Sequence, residues 1–221
     1  MPHRLMFVCA MNVCRSPLMA YTFTESLAAV GDESDWSVSS RGIAVTRRNT
    51  MCDVSASLIS DTETGQAFIA AHVSSPVATA RLAQQDLILV ATRAERAELA
   101  NINPALRQRT FTVREAIALG NAPATSAELE LVDRTRHTNQ KIRLGGYHQL
   151  LNLRRGTVPM PVPRHTSWIL RNVRRHDPID LPDVHHERTA KHGAVLREAQ
   201  ADVRALHGQL RDFLWARSRA A

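Results

Sequence analysis

Leu5-Met6-Phe7-Val8 is a short, wholly apolar run, the pattern of a strand buried on both faces of a parallel sheet. It stops at Cys9. From Pro17 the pattern turns helical, with proline where a first helical turn accepts it and apolar residues continuing toward Leu27. Trp36-Ser37-Val38-Ser39-Ser40 alternates and ends at Gly42. Asp86-Leu87-Ile88-Leu89-Val90-Ala91 is a second apolar run, and Arg109-Thr110-Phe111-Thr112-Val113 is a third, β-branched candidate. Helical windows lie between them, around Ser55 to Ser60, Ser75 to Gln84 and Arg93 to Ala100. Strands alternating with helices predict an α/β fold with four strands in a parallel, doubly wound sheet.

Toward the end, Leu196, Val203, Leu206, Leu210 and Phe213 recur at helical steps. They predict one long amphipathic helix from Glu187 to Trp215, packed on the first strand. The stretch from about 120 to 180 has poor periodicity and holds Gly145-Gly146, Pro159, Pro161 and Pro163. It reads as an insertion of loops and short helices before the closing helix. Length favours a single domain over residues 1–221 with that insertion inside it.

Composition changes this picture little. Apolar residues at 44% and charged ones at 22% fit a globular chain. No apolar run reaches the roughly 18 residues that span a bilayer, and the N-terminus lacks a secretory pattern. Three cysteines do not make a disulfide framework. These features predict a cytoplasmic protein without a membrane partner. The net charge of +7 is mostly arginine, dense at Arg154 and Arg155 and at Arg171, Arg174 and Arg175. Such runs could draw acidic phosphoproteins or form a solvated basic surface. Aromatic residues are not interleaved with them as stacking platforms, so no nucleic-acid partner is expected.

The chemistry lies in Phe7–Pro17. Cys9-Ala10-Met11-Asn12-Val13-Cys14-Arg15-Ser16 sets a cysteine and an arginine around five residues where a buried strand turns into a helix. Successive backbone amides and the positive end of a helix can cradle a dianion there, which makes Ala10, Met11, Asn12, Val13, Cys14 and Arg15 candidate phosphate-binding residues. Arg15 adds a planar fork matched to two phosphate oxygens. Both the helix start and the guanidinium favour an anionic sulfur on Cys9, the candidate nucleophile. Ser16 can donate its hydroxyl to that sulfur. Asn12 tolerates a left-handed backbone and can brace the loop. The alternative for the same residues is a structural Cys9 beside a Ser-Pro helix start.

Phe7-Val8-Cys9, Asn12 and Cys14-Arg15-Ser16-Pro17 resemble the V-C-x-G-N-x-C-R-S-P loop of the low-molecular-weight protein-tyrosine-phosphatase family. Val38-Ser39-Ser40-Arg41-Gly42 is similar to its S-A-G segment, where Ser40 would support the loop. Asp86-Leu87-Ile88 resembles its third strand, and Phe111-Thr112-Val113-Arg114-Glu115 the segment after its fourth. The resemblance implies a flavodoxin-like three-layer sandwich and hydrolysis of phosphate monoesters without cofactor or metal. The implied partner is a tyrosine-phosphorylated protein or another aryl phosphate, attacked through a phosphocysteine. It also implies a general-acid aspartate on a late loop. Asp177-Pro178 has the family's Asp-Pro dipeptide, but Asp180-Leu181-Pro182-Asp183-Val184-His185 resembles its D-I-P-D-P-H loop, and Asp183 is the preferred acid.

Met11 stands where the family has glycine, and a need for positive φ there would strain the loop. Val13 stands where the family's arginine-phosphate hydrolases carry threonine, which favours phosphotyrosine. The paired loop cysteines of the family imply that Cys14 can form a protective disulfide with Cys9, or else pack beneath the loop. Cys52 reads as a buried structural residue. Competing functions are arsenate reduction with a small-thiol reductant, which the same loop serves, and a phosphate-binding pseudophosphatase. A metal hydrolase on His176, His185, His186 and His192 is the weakest reading, because adjacent histidines point apart on a helix and no paired cysteine or carboxylate completes a clean zinc set.

Overall fold

The computed structural model describes residues 2–122, 125–128, 130, 142–162 and 177–215. Strand β1 (His3–Cys9) is followed by helix α1 (Arg15–Ala28), β2 (Trp36–Gly42), α2 (Asp53–Ala56) and α3 (Glu63–Ala71). Then come β3 (Leu87–Val90), α4 (Arg93–Ile102), β4 (Thr110–Thr112), α5 (Val113–Gly120), α6 (Ile142–Arg154) and α7 (Thr189–Trp215). The strands form one parallel sheet in the order β2-β1-β3-β4. The chain steps outward from β1 to β2 and then crosses back to β3. The C-terminal ends of β1 and β3 therefore flank the switch point at which open α/β sheets bind ligands.

The sheet is covered on both faces, which explains the unbroken apolar runs of β1 and β3. Leu5, Phe7, Leu87, Leu89 and Phe111 face a core shared with α1, α5, α6 and α7. Met6, Val8, Ile88 and Val90 face the opposite way, against Leu99 of α4, Val77 and Leu106. Leu5, Phe7 and Val8 have no exposed surface, and each such side chain contributes roughly 1.5–3 kcal/mol by leaving water. Helix α7 begins at Thr189 rather than Glu187 and lies chiefly against α1 and α5, joining strand β1 only through the shared core.

Two windows depart from the sequence reading. Ser75 to Gln84 is not an α-helix: it holds 3-10 turns at Val77–Thr79 and Leu82–Gln84. The Ser75 carbonyl accepts from the Gly42 amide at 2.9 Å and Pro76 bridges to Gly42, so this segment leaves β2 extended. The helix lies earlier, at α3, capped by Thr62 accepting from the Gly65 amide at 3.0 Å. Gly65 is required there, since a Cβ would fall 1.7 Å from the Ile59 carbonyl oxygen.

The stretch expected to be loops and short helices contains α6, a helix of 13 residues. Gly145 and Gly146 hide it, each costing about 1 kcal/mol relative to alanine in a helix. Leu144, Tyr147 and Leu151, spaced three and four apart, place it in the main core.

Arg154 and Arg155 are not a solvated basic patch. Arg154 is 2% exposed, donates to the carbonyls of Leu119 and Ala122 at the end of α5, and pairs with Glu128. Arg155 stacks over Phe111 at 3.9 Å and pairs with Glu115. Helix-end carbonyls need donors, and Arg154 supplies them at α5. Arg171, Arg174, Arg175 and His176 lie outside the described residues. Among the described residues no helix is long and apolar enough to cross a membrane.

Candidate active site

Cys9 closes β1, and the loop after it is held from outside. The carbonyls of Cys9 and Ala10 accept from the amides of Ile43 and Ala44. Those of Asn12 and Val13 accept from the His72 ring and the Cys52 amide, and that of Cys14 accepts from the Ser55 hydroxyl. N–H and C=O of one trans peptide point in opposite directions. The amides of Ala10, Met11, Val13, Cys14 and Arg15 therefore turn to the other side of the loop, beside the first turn of α1.

The positive φ of the loop falls on Asn12, at 54°, and on no other non-glycine residue described. Met11 accordingly carries no left-handed strain. Asn12 is 1% exposed and compensates its own backbone cost with its side chain. Its amide nitrogen donates to Ser16 Oγ and Ser40 Oγ, both at 2.9 Å, and its oxygen accepts from the Ser75 amide at 2.9 Å. Gly42 makes room for this loop, since a Cβ there would stand 2.8 Å from the Asn12 nitrogen.

Ser16 Oγ lies 3.1 Å from Cys9 Sγ and 3.2 Å from the Arg41 carbonyl. Because it accepts from Asn12, its single proton is available to the sulfur or to that carbonyl. Arg15, 4% exposed, donates to the Leu181 carbonyl at 2.9 Å and to Asp183 at 2.5 Å, and lies 3.4 Å from Glu95. Burial works against its cation, but the Cys9 sulfur, Glu95 and Asp183 around it outweigh burial. Glu95 is itself pushed up by burial, which prevails over the pull of Arg15.

The late loop lies across the ends of β3 and β4. The Leu181 amide donates to the Ala91 carbonyl at 2.8 Å, and Thr112 Oγ1 donates to the Ile179 carbonyl at 2.8 Å. Asp177 and Asp180 both bind Arg93 at the start of α4, away from Cys9. Asp183 instead reaches Arg15 and accepts from the His185 amide at 3.1 Å. Burial raises the Asp183 carboxyl, but Arg15 and the His185 amide bring it below the usual aspartate value.

The expectation for Cys52 is corrected. It is half-buried, beside Cys14, and lines the same cleft as Cys9. A hydrogen bond from the Cys14 thiol, helped by Ser55 and opposed by burial, holds the Cys52 thiol down to about 6. The same bond, together with burial, pushes the Cys14 thiol up. Cys14 Sγ also lies 3.2 Å from His185 Nδ1, and the sulfurs of Cys9, Cys14 and Cys52 are all free thiols. The expectation that no cysteine pair stands with the late histidines is likewise overturned, because the fold brings Cys14 and Cys52 to His185 and His192.

Sequence reading did not find Glu95, His72 or Ser75. Thr92 and Glu95 form a capping box, legible as a helix start but not as a partner of Arg15. His72 and Ser75 reach the loop from sixty or more residues away and leave no local signal. The cleft, of about 680 Å³, is lined by Cys9, Met11, Arg15, Arg47, Met51 and Asp183 among others.

The chain is similar to solved structures of the same architecture. A mutant of the YwlE arginine phosphatase with a phosphorylated active-site serine matches with a TM-score of 0.58 at 16% identity, over 94% of this chain and 95% of that one. The YwlE arginine phosphatase from Geobacillus stearothermophilus gives 0.58 at 15%, over 95% and 94%. The tyrosine phosphatase Wzb from Escherichia coli K30, in complex with phosphate, gives 0.42 at 16%, over 69% and 93%. At these identities the likeness to the two arginine phosphatase structures is one of fold. No curated protein sequence matches the chain. The model of the family described as low molecular weight phosphotyrosine protein phosphatase matches residues 4–128, more than half of the chain. The chain belongs to the low molecular weight phosphotyrosine protein phosphatase family.

Proposed function

We propose that the protein hydrolyses phosphate monoesters of aryl alcohols, foremost phosphotyrosine in proteins, through a phosphocysteine on Cys9. The observation that carries this reading is the convergence of Cys9, Arg15 and Asp183 on one cleft, with buried Ser16 against the Cys9 sulfur, drawn from β1, α1 and the late loop. The loop amides and the Arg15 fork take the phosphoryl oxygens. The Cys9 thiolate forms the S–P bond as the bond to the phenolic oxygen breaks. Once the phosphoryl group takes the guanidinium and releases Asp183 from Arg15, the freed carboxyl binds a proton beside the substrate's charge and gives it to that oxygen, whose conjugate acid titrates near pH ~10. Water then attacks phosphorus, Asp183 takes its proton, and the S–P bond breaks, with the Ser16 hydroxyl bonded to the departing sulfur.

Met11, Val13, Met51 and Val54 line the cleft and offer an aromatic ring apolar contact. Three free thiols suit a reducing compartment such as the cytoplasm. The test compares matched peptides bearing phosphotyrosine, phosphoserine and phosphoarginine, with wild type and Cys9→Ser. Fastest release from phosphotyrosine, lost in Cys9→Ser, is expected. Faster release from phosphoarginine overturns the substrate, and undiminished release by Cys9→Ser overturns the nucleophile.

A further inference from the structure

We infer that Cys14, Cys52, His185 and His192 form a tetrahedral site for one divalent zinc-like cation, beside the phosphate loop and separate from Cys9. One ligand atom from each residue lies within 4.8 Å of the other three. With Zn–S of ~2.3 Å and Zn–N of ~2.0 Å, the edges of such a tetrahedron are roughly 3.3–3.8 Å. The Cys14 Sγ to His185 Nδ1 separation of 3.2 Å is already within a few tenths of an ångström of such an edge. Modest side-chain rotation closes the rest.

The four ligands come from four segments, and each is independently placed. Cys14 is the residue before α1. Cys52 precedes α2 and is locked beside Cys14 by its own amide donating to the Val13 carbonyl at 3.0 Å. The Ser55 hydroxyl, on α2, adds a bond to the Cys14 carbonyl at 2.9 Å. His185 follows Asp183 on the late loop, and His192 lies buried in the first turns of α7. Two thiolates and two neutral imidazoles in a tetrahedral array suit zinc among common divalent cations. Each thiol loses its proton to solvent as its metal–sulfur bond forms, so the loaded site is neutral and tolerates burial.

Four protein ligands leave no coordination position for substrate, so the site is structural. Its effect is to tie the loop carrying Asp183 to the phosphate loop through His185 and Cys14. It also holds Cys14 away from disulfide exchange with Cys9.

Cobalt(II) titration of the reduced, chelator-treated full chain tests the site without reference to turnover. One cobalt per chain is expected, with intense tetrahedral d–d bands and thiolate charge-transfer absorption, displaced by zinc and unchanged in Cys9→Ser. Cys52→Ser, His192→Ala and the exposed-ligand variant His185→Asn should each abolish that spectrum while circular dichroism stays native. If the core variants fail to fold, His185→Asn alone decides. An octahedral spectrum, no saturable binding, or binding lost in Cys9→Ser but kept in His185→Asn overturns the site.

Discussion

Arg15 and Asp183, 168 positions apart, meet at 2.5 Å, so the arginine of the phosphate loop directly holds the carboxylate of the late loop. In the proposed reaction Asp183 gives up Arg15 to the substrate's phosphate and takes up a proton before serving the leaving group, whereas Asp177 and Asp180 are paired with Arg93.

Asp183→Asn should therefore lower kcat by about 10²–10⁴-fold, the range for loss of a general acid. Phenyl phosphate should suffer more than p-nitrophenyl phosphate, whose leaving group needs less protonation. Equal turnover of phenyl phosphate by the variant and wild type would remove Asp183 from the mechanism.

Asn12 combines a φ of 54° with three side-chain hydrogen bonds. Asn12→Gly keeps the backbone and loses the bonds, at about 1 kcal/mol each. Asn12→Ala adds a left-handed strain of about 1–2 kcal/mol. Urea midpoints should fall in the order wild type, glycine, alanine; an alanine variant as stable as the glycine variant would show that the strain argument is wrong.

Glu95 lies 3.4 Å from the same Arg15 nitrogen that binds Asp183, and its charge helps to position the guanidinium. Glu95→Gln keeps the shape and removes the charge. Its kcat/KM should fall by about tenfold or more, and inorganic phosphate should inhibit it more weakly. Unchanged phosphate inhibition would leave Glu95 as a helix cap alone.

His72 gives a pH dependence. Its Nε2–H donates to the Asn12 carbonyl at 2.9 Å, and burial holds its pKa below the ordinary 6.5, outweighing that bond. The unfolded chain thus binds the proton first, and stability from this group is present above pH 6.5 and declines as pH falls below it. Urea unfolding of wild type and His72→Gln between about pH 8 and pH 5.5 should show a shallower decline in the variant. Parallel declines would assign the acid sensitivity elsewhere.

The sequence makes the sheet readable because β3 and residues 5–9 of β1 are covered on both faces and so lack polar positions. The same clarity fails for α6, where Gly145 and Gly146 lower helix propensity although Leu144, Tyr147 and Leu151 bury it. Helix α3 escapes notice because Gly65 looks like a breaker yet serves a close approach to Ile59. At the site, Cys9 to Ser16 is contiguous, so its chemistry lies in one stretch. Partners that arrive through the fold, such as Glu95, His72 and the juxtaposition of Cys52 with His192, carry no spacing that a linear reading can use.

The proposed mechanism turns on a covalent bond between phosphorus and the Cys9 sulfur. Acid quenching of the reduced protein during turnover of labelled p-nitrophenyl phosphate, followed by peptide mapping, tests it most directly. Label is expected on the peptide carrying Cys9 and none in Cys9→Ser; turnover with no labelled peptide, or with label on another residue, would rule out the phosphocysteine on Cys9.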